Sequence, residues 1–155
     1  MRALVIGLAL SGCIVVPIPI PVGTMSAPQV RNLSAVAAPD AAFDAQLKTA
    51  RSQPIAYNAD LAAVARAHAA DMAARGYFSH TSPEGVGSGA RAAKAGIPAC
   101  GIGENIATGQ VTSAEVFAGW MASGGHRRNM LNPRMASYGL GRAGDTWVML
   151  LYAPC

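Results

Sequence analysis

The clearest pattern of apolar and polar positions lies between Asn58 and Gly76. Its inward-facing residues recur three or four positions apart, which is the spacing that places side chains on one face of an α-helix. Asn58 or Asp60 supplies a side chain that can cap the start of the helix, and Gly76 ends it. The pattern therefore predicts a long helix with one buried stripe, made of Leu61, Val64, Ala65, His68 and Met72.

Shorter segments show the same helical spacing. Asp40 can cap a helix that carries Phe43, Leu47 and Ala50 and that ends before Pro54. The other predicted segments are a short helix over 89–95, a helix over 113–123 with Val116, Phe117, Trp120 and Met121 facing inward, and a turn over 127–131 that stops at Asn132 and Pro133.

The last part of the chain has a different pattern. Residues 137–142 and 146–152 are rich in strand-forming residues and flank the turn residues Ala143, Gly144 and Asp145, so they predict an antiparallel hairpin. Helices in the first two-thirds and strands near the end predict an α+β fold with layered packing. We expect one domain over residues 40–155.

The N-terminus predicts export. Arg2 precedes an apolar run over 3–10, which is too short to span a bilayer as a helix, and small residues lead up to Cys13. Residues 1–12 are therefore predicted to be a signal peptide. The segment ending at Cys13 resembles the lipobox of bacterial lipoproteins, in which the cysteine becomes the acylated N-terminus. The alternative is an ordinary signal peptide cut elsewhere, which leaves Cys13 without a role.

Acylation of Cys13 with two or more chains would hold the protein stably on a membrane. Alternating prolines follow between residues 17 and 21. Because proline favours extended polyproline geometry, residues 13–39 are predicted to be the lipidated N-terminus and a semi-rigid tether.

Composition narrows the class of protein. The chain has 155 residues, of which 13% are charged and 52% hydrophobic, so one folded domain is expected rather than a disordered chain. The net charge of +4 comes from scattered basic residues with no long run. A nucleic-acid groove needs clustered basic residues or interleaved aromatics, so we expect no nucleic-acid binding.

Two cysteines remain if Cys13 is lipidated. Cys100 and Cys155 form an even pair in an exported chain, and a disulfide between them would fasten the last strand and stabilise the fold by about 2–4 kcal/mol. Two free thiols are the alternative. Neither cysteine belongs to a CxxC pair, so a redox motif or a zinc ribbon has no support.

Four residues carry candidate chemistry: His80, Glu104, Glu115 and His126. Imidazoles and carboxylates together can hold a divalent metal or form an acid–base cluster without one. The gaps between the four match no helix or strand period, so their spacing alone does not bring them together.

Three segments resemble the signatures of the CAP superfamily, the SCP or pathogenesis-related-1 type of domain, and are most similar to its compact bacterial members. The segments are Phe78 to Gly85, Gly103 to Ala107 and Trp120 to Leu131. The resemblance extends from about residue 43 to residue 152. It implies an α-β-α sandwich with a central antiparallel sheet.

The resemblance also implies a site. In that family two histidines and two glutamates meet in a surface cleft, and in some members the histidines bind zinc. His80 and His126 would then be direct ligands. Glu104 and Glu115 would orient them, complete the ligand set or take a proton from bound water.

Several residues have simpler alternative roles. Glu115 can form a capping box with Thr112, and Glu104 can be a surface acid. His80 can be a solvated loop residue, and His126 can simply start a helix. His68 is expected to be packed in the core.

The hydroxyls beside His80 suggest a nucleophile paired with a histidine, but no third group is evident. They belong to Ser79, Thr81 and Ser82. Asn105 and Asn129 are expected to satisfy backbone groups rather than to take part in chemistry.

Three functions follow. The first is a lipid-anchored protein of the bacterial cell envelope, facing the periplasm or the exterior, whose cleft binds a divalent metal and a lipid, sterol-like or cell-wall ligand. The second is a zinc-assisted hydrolase with Glu104 or Glu115 as general base. The third is a structural envelope partner that does not use the cleft.

Overall fold

The computed structural model describes residues 40–98 and 100–155. The predicted signal peptide, Cys13 and the tether lie outside these residues. No helix in the two described ranges has the combination of length and apolar character that crossing a membrane requires.

The described residues form five helices and four strands. Their order is α1 (Ala41–Ala50), β1 (Ala56–Tyr57), α2 (Ala59–Arg75), α3 (Ser88–Lys94), β2 (Gly101–Thr108), α4 (Ser113–Ala122), α5 (Gly124–Leu131), β3 (Ser137–Ala143) and β4 (Thr146–Ala153).

The predicted helix ends are confirmed for α1 and α2. Asp40 Oδ1 accepts a hydrogen bond from the Phe43 amide at 2.9 Å, and Asn58 Oδ1 accepts one from the Leu61 amide at 2.8 Å. Gly76 ends α2 in the left-handed region with φ of 67°, a conformation that glycine adopts without steric cost. Asn58, rather than Asp60, is therefore the cap of α2.

The four strands form one sheet in the order β1-β3-β4-β2. β4 pairs antiparallel with both β3 and β2, and the short β1 pairs parallel with β3. β4 is buried on both faces, since its side chains alternate between two apolar clusters. It is the central strand of the described fold.

Helices cover both faces of the sheet. Trp147, Met149 and Leu151 of β4 pack with α1, α4 and α5, whereas Val148 and Leu150 pack with α2 and α3. The predicted α-β-α sandwich is thus confirmed, with β1 as a short parallel addition to the antiparallel strands.

Helix α2 lies directly on β3 because two strand positions lack a side chain. A Cβ atom at Gly139 would overlap the backbone of Leu61 and Ala62, and one at Gly141 would overlap the next helical turn at Ala65. One helical turn rises about 5.4 Å and two strand residues span about 6.7 Å, so successive turns meet alternate strand positions. The two backbones could not come this close with any larger residue.

Strand β2 was not predicted. Its sequence contains two glycines, a glutamate and an asparagine, which are poor strand formers, so the local pattern predicts no strand there. It is extended because all eight residues pair with β4. The sheet partner thus overrides the local preference, and the same holds for β1, which has only two residues.

The predicted disulfide between Cys100 and Cys155 is present, with the two Cα atoms 4.9 Å apart. The Cys100 amide also donates to the Ala153 carbonyl at 3.1 Å, so the bridge closes the end of the β2–β4 ladder. Cys155 is thereby tied to the start of the strand that carries Glu104.

Arg51 fixes the far end of α5. Its guanidinium donates to the carbonyls of Met130, Asn132 and Met135, the last two at 3.0 and 2.8 Å. These contacts satisfy carbonyls at and just beyond a helix C-terminus. They hold α5 against the chain that follows α1.

Substitution of Gly139 should be far more damaging than substitution of an exposed glycine. We expect Gly139→Ala to lower the free energy of unfolding by about 1–3 kcal/mol or more, because the new methyl group would push α2 off the sheet. The matched control is Gly119→Ala in α4, where an added Cβ meets nothing within 4 Å. That variant should gain about 0.5–1 kcal/mol from helix propensity. Urea unfolding measures both, and equal effects would contradict the packing described here.

Candidate functional site

The candidate site lies along β2, where the two helical layers meet the edge of the sheet. Neighbouring strand residues face opposite sides. Glu104 faces the layer of α2 and α3, as Ile106 does, whereas Asn105 contacts α5. One short strand therefore presents polar side chains to both layers.

Glu104 has both carboxylate oxygens occupied. Oε1 accepts a hydrogen bond from Nδ1 of His80 at 2.8 Å, and Oε2 accepts one from Nη2 of Arg91 at 2.6 Å. Only 3% of its side chain is exposed. The carboxylate is thus a buried bridge between an imidazole and a guanidinium.

His80 is exposed on its other side. Its side chain is 57% accessible. Because the carboxylate of Glu104 can only accept, Nδ1 carries the donated proton and Nε2 of the neutral ring keeps a free lone pair. Two of the four predicted residues, His80 and Glu104, are therefore in direct contact.

The buried side chain of His68 holds the loop that carries His80 from the interior of the protein. Nε2 of this buried histidine donates to the Ser79 carbonyl at 3.0 Å. Burial and, to a smaller extent, the neighbouring Arg91 lower the pKa of His68, which favours its neutral form. The prediction of a packed core histidine is confirmed, and this histidine also supports the site.

The same loop is fastened at its surface. Arg75 at the end of α2 pairs with Glu84 at 2.5 Å, and hydrogen bonds from Arg75 and then Ser82 lower the pKa of Glu84 to about 2. The Ser79 hydroxyl accepts from the Thr81 amide at 3.1 Å. This hydroxyl shapes the loop, and the geometry gives the serine-nucleophile alternative no support.

α5 approaches β2 from the other layer. The Asn105 side chain donates to the His126 carbonyl at 3.1 Å, and the Asn129 side chain donates to the Glu104 carbonyl at 3.2 Å and to Asn105 Oδ1 at 3.0 Å. Trp120 Nε1 donates to the Ile106 carbonyl at 3.2 Å. These contacts dock α4 and α5 on the strand edge, and the two asparagines bind backbone carbonyls, as expected.

His126 is half-buried near the start of α5, not in a turn, and its ring centroid is 6.4 Å from that of Trp120. Burial, and then the positive charge of His80, lower the pKa of His126. Both effects favour the neutral form of His126.

Glu115 makes a different set of contacts. Its carboxylate accepts from the amides of Val111 and Thr112 at 2.9 and 3.2 Å, and its own amide donates to the Thr112 hydroxyl at 3.2 Å. This is the complete capping box of α4. Within 40–98 and 100–155, no three histidine, cysteine or acidic residues are grouped closely enough to hold a metal ion. The assignment of Glu115 as a ligand, like the zinc site itself, stays a prediction.

Arg91 is a residue of the site that the sequence did not predict. It lies in α3, donates to the carbonyls of Val86 and His80 at 2.7 and 3.1 Å, and pairs with Glu104. An arginine in a seven-residue helix is expected to face solvent, so no local pattern could single it out.

Known proteins resemble this chain in sequence and in fold. A family model described as "CAP: Cysteine-rich secretory protein family" matches residues 29–150. The protein YkwD of Bacillus subtilis (strain 168) is 42% identical over 98 residues, which cover 61% of this chain and 38% of that protein. The chain therefore spans well under half the length of this relative.

Two solved structures share the fold. An extracellular protein containing a SCP domain from Bacillus anthracis str. Ames has a TM-score of 0.67 and 27% identity, over 77% of this chain and 45% of that one. An outer surface protein from Borrelia burgdorferi has a TM-score of 0.64 and 19% identity, over 74% of this chain and 88% of that one. With the sandwich and its three signature segments in place, the family match over most of the sequence shows that the chain belongs to the CAP, or cysteine-rich secretory protein, family.

Proposed function

We propose that this CAP protein is a metal-binding module of the bacterial cell envelope that holds a divalent ion, zinc above all, through His80 and His126. The observation that carries the proposal is the 2.8 Å hydrogen bond from His80 Nδ1 to Glu104. A carboxylate behind an imidazole fixes the ring, selects the tautomer and raises the basicity of the outward nitrogen.

The donor chemistry fits zinc. Neutral imidazole nitrogen is a preferred zinc ligand, and the lowered pKa of His126 favours the neutral form. His80 and His126 would hold the ion, while Glu104 orients His80 and Arg91 balances the charge of Glu104. A zinc ion held by His80 and His126 would supply Lewis-acid chemistry, which polarises an oxygen of water or of a ligand.

An apolar or cell-wall ligand is the second part of the proposal. Phe78, two residues before His80, is 50% exposed and is one of two large apolar side chains exposed in the described ranges. Apolar surface rimmed by polar groups is typical of a ligand-binding site, and Phe78 would contribute an apolar side chain to one beside His80. A lipid, a sterol-like molecule or a cell-wall fragment would meet both kinds of group here.

The envelope location is supported by the predicted signal peptide and by two relatives in fold, one named as extracellular and one as an outer surface protein. Acylated Cys13 would hold the domain at the membrane, with residues 14–39 as its tether.

The hydrolase alternative receives less support from the geometry. A general base needs a carboxylate oxygen free to take a proton from water. Both oxygens of Glu104 are already paired with His80 and Arg91, and the Glu115 carboxylate accepts two backbone amides. A structural role without metal is the remaining alternative, and metal titration separates it from binding.

Zinc binding should depend on both histidines. In calorimetric titration of the purified full-length chain near neutral pH, we expect His80→Ala and His126→Ala to abolish measurable binding, since each removes a direct ligand. Glu104→Gln should weaken it about 10–100-fold. Affinity should fall as the pH is lowered into the acidic range, because protons then compete with the metal for imidazole nitrogen. Equal, weak binding by the wild type and all three variants would refute the metal site.

Glu115→Gln separates capping from ligation. Glutamine can keep the capping box, so thermal unfolding should be nearly unchanged. Because the Glu115 carboxylate is used at the start of α4, we expect zinc affinity to fall less than tenfold, well below the loss in Glu104→Gln. A loss as large as that of Glu104→Gln would instead make Glu115 a ligand.

The lipid anchor has its own test. Cys13→Ala should move the protein from the membrane fraction to the soluble fraction of cells, because it removes the acylated residue. Immunoblotting of the two fractions measures the change. Unchanged membrane association would exclude Cys13 as the anchor.

A further inference from the structure

Arg91 contacts the site at three points. Its side chain is 13% exposed, and its two terminal nitrogens donate to the Val86 carbonyl at 2.7 Å, to the His80 carbonyl at 3.1 Å and to Glu104 Oε2 at 2.6 Å. Nη2 alone serves both His80 and Glu104. A planar guanidinium can reach several acceptors in fixed directions, which makes these three contacts one rigid unit.

These contacts close a ring of hydrogen bonds around His80. Arg91 binds Glu104, Glu104 binds Nδ1 of the His80 imidazole, and Arg91 also binds the carbonyl of the same histidine. The guanidinium of Arg91 therefore holds the main chain of His80 directly and holds its ring through Glu104. A rotation of the ring would break the bond to a carboxylate that Arg91 already holds.

We propose that Arg91 is the positioning residue of this site, which sets the orientation and the Nδ1–H tautomer of His80 through Glu104 and the His80 carbonyl. The assignment extends the proposed function, in which the outward Nε2 of His80 binds metal. Arg91 itself would touch neither metal nor ligand.

Stability alone does not account for this arrangement. A buried ion pair loses the hydration of both charges, and apolar residues of similar volume are often as stable. The arrangement does, however, hold the exposed imidazole of His80 in one orientation and one tautomer.

The first test measures the His80 tautomer without any metal. Long-range 15N–1H NMR of the metal-free full-length chain at about pH 8.5, above the ordinary histidine pKa, distinguishes Nδ1–H from Nε2–H rings. We expect the Nδ1–H form to dominate in the wild type. Arg91→Lys keeps the charge but loses the planar fork, so the ratio of Nδ1–H to Nε2–H should fall about threefold or more.

Arg91→Met and Lys94→Met complete the series. Arg91→Met should shift the tautomer ratio further than Arg91→Lys, whereas Lys94→Met, at an exposed position of the same helix, should leave it unchanged. If Arg91→Met does not fold, Arg91→Lys decides the question, because it preserves the charge opposite Glu104. A wild-type tautomer ratio in folded Arg91→Lys would overturn the proposal.

Zinc titration of the same variants then links the tautomer to the site. Arg91→Lys should bind zinc about 10–100-fold more weakly than the wild type, as loss of a residue supporting a metal-bound histidine typically does. If the wild type binds no zinc while the tautomer still shifts in Arg91→Lys, the metal proposal fails and the positioning role of Arg91 stands. The two failures are thus distinguishable.

Discussion

The contact between the backbones of α2 and β3 is the constraint on which the described structure depends. Gly139 and Gly141 let the helix lie on the strand without intervening side chains. This close approach fixes α2 relative to the sheet, and α2 carries His68. His68 in turn holds the loop before His80 through the Ser79 carbonyl. A packing feature in the middle of the sheet thus determines where an exposed imidazole lies at its edge.

The edge strand β2 joins the two layers. β4 is buried on both faces, so its pairing forces β2 to present Glu104 to one layer and Asn105 to the other. Asn129 and Trp120 bind carbonyls of β2, and edge strands are commonly protected in such ways. The proposed ligands His80 and His126 belong to these two layers. The packing of the sandwich, rather than the local sequence around either histidine, therefore determines the distance between them.

His68, which is buried, and His80, which is exposed, show how burial determines the role of a histidine. His68 is buried, its pKa is lowered, and its Nε2 proton is used on a carbonyl. His80 uses Nδ1 on a carboxylate and leaves Nε2 outward. The same side chain therefore acts as a hydrogen-bond donor within the fold and as a candidate ligand at its surface, according to which nitrogen the protein engages.

Local sequence determined the features that depend on neighbouring residues: the caps at Asp40 and Asn58, the buried stripe of α2, and the hairpin of β3 and β4. The family and the disulfide also followed from the sequence, the former through three short signatures. Only the tertiary structure decided that β2 is a strand and that Arg91 bridges Glu104 and His80. The physical reason is range: caps and helical stripes involve residues a few positions apart, whereas strand pairing and the bridge by Arg91 join segments that only the folded chain brings together.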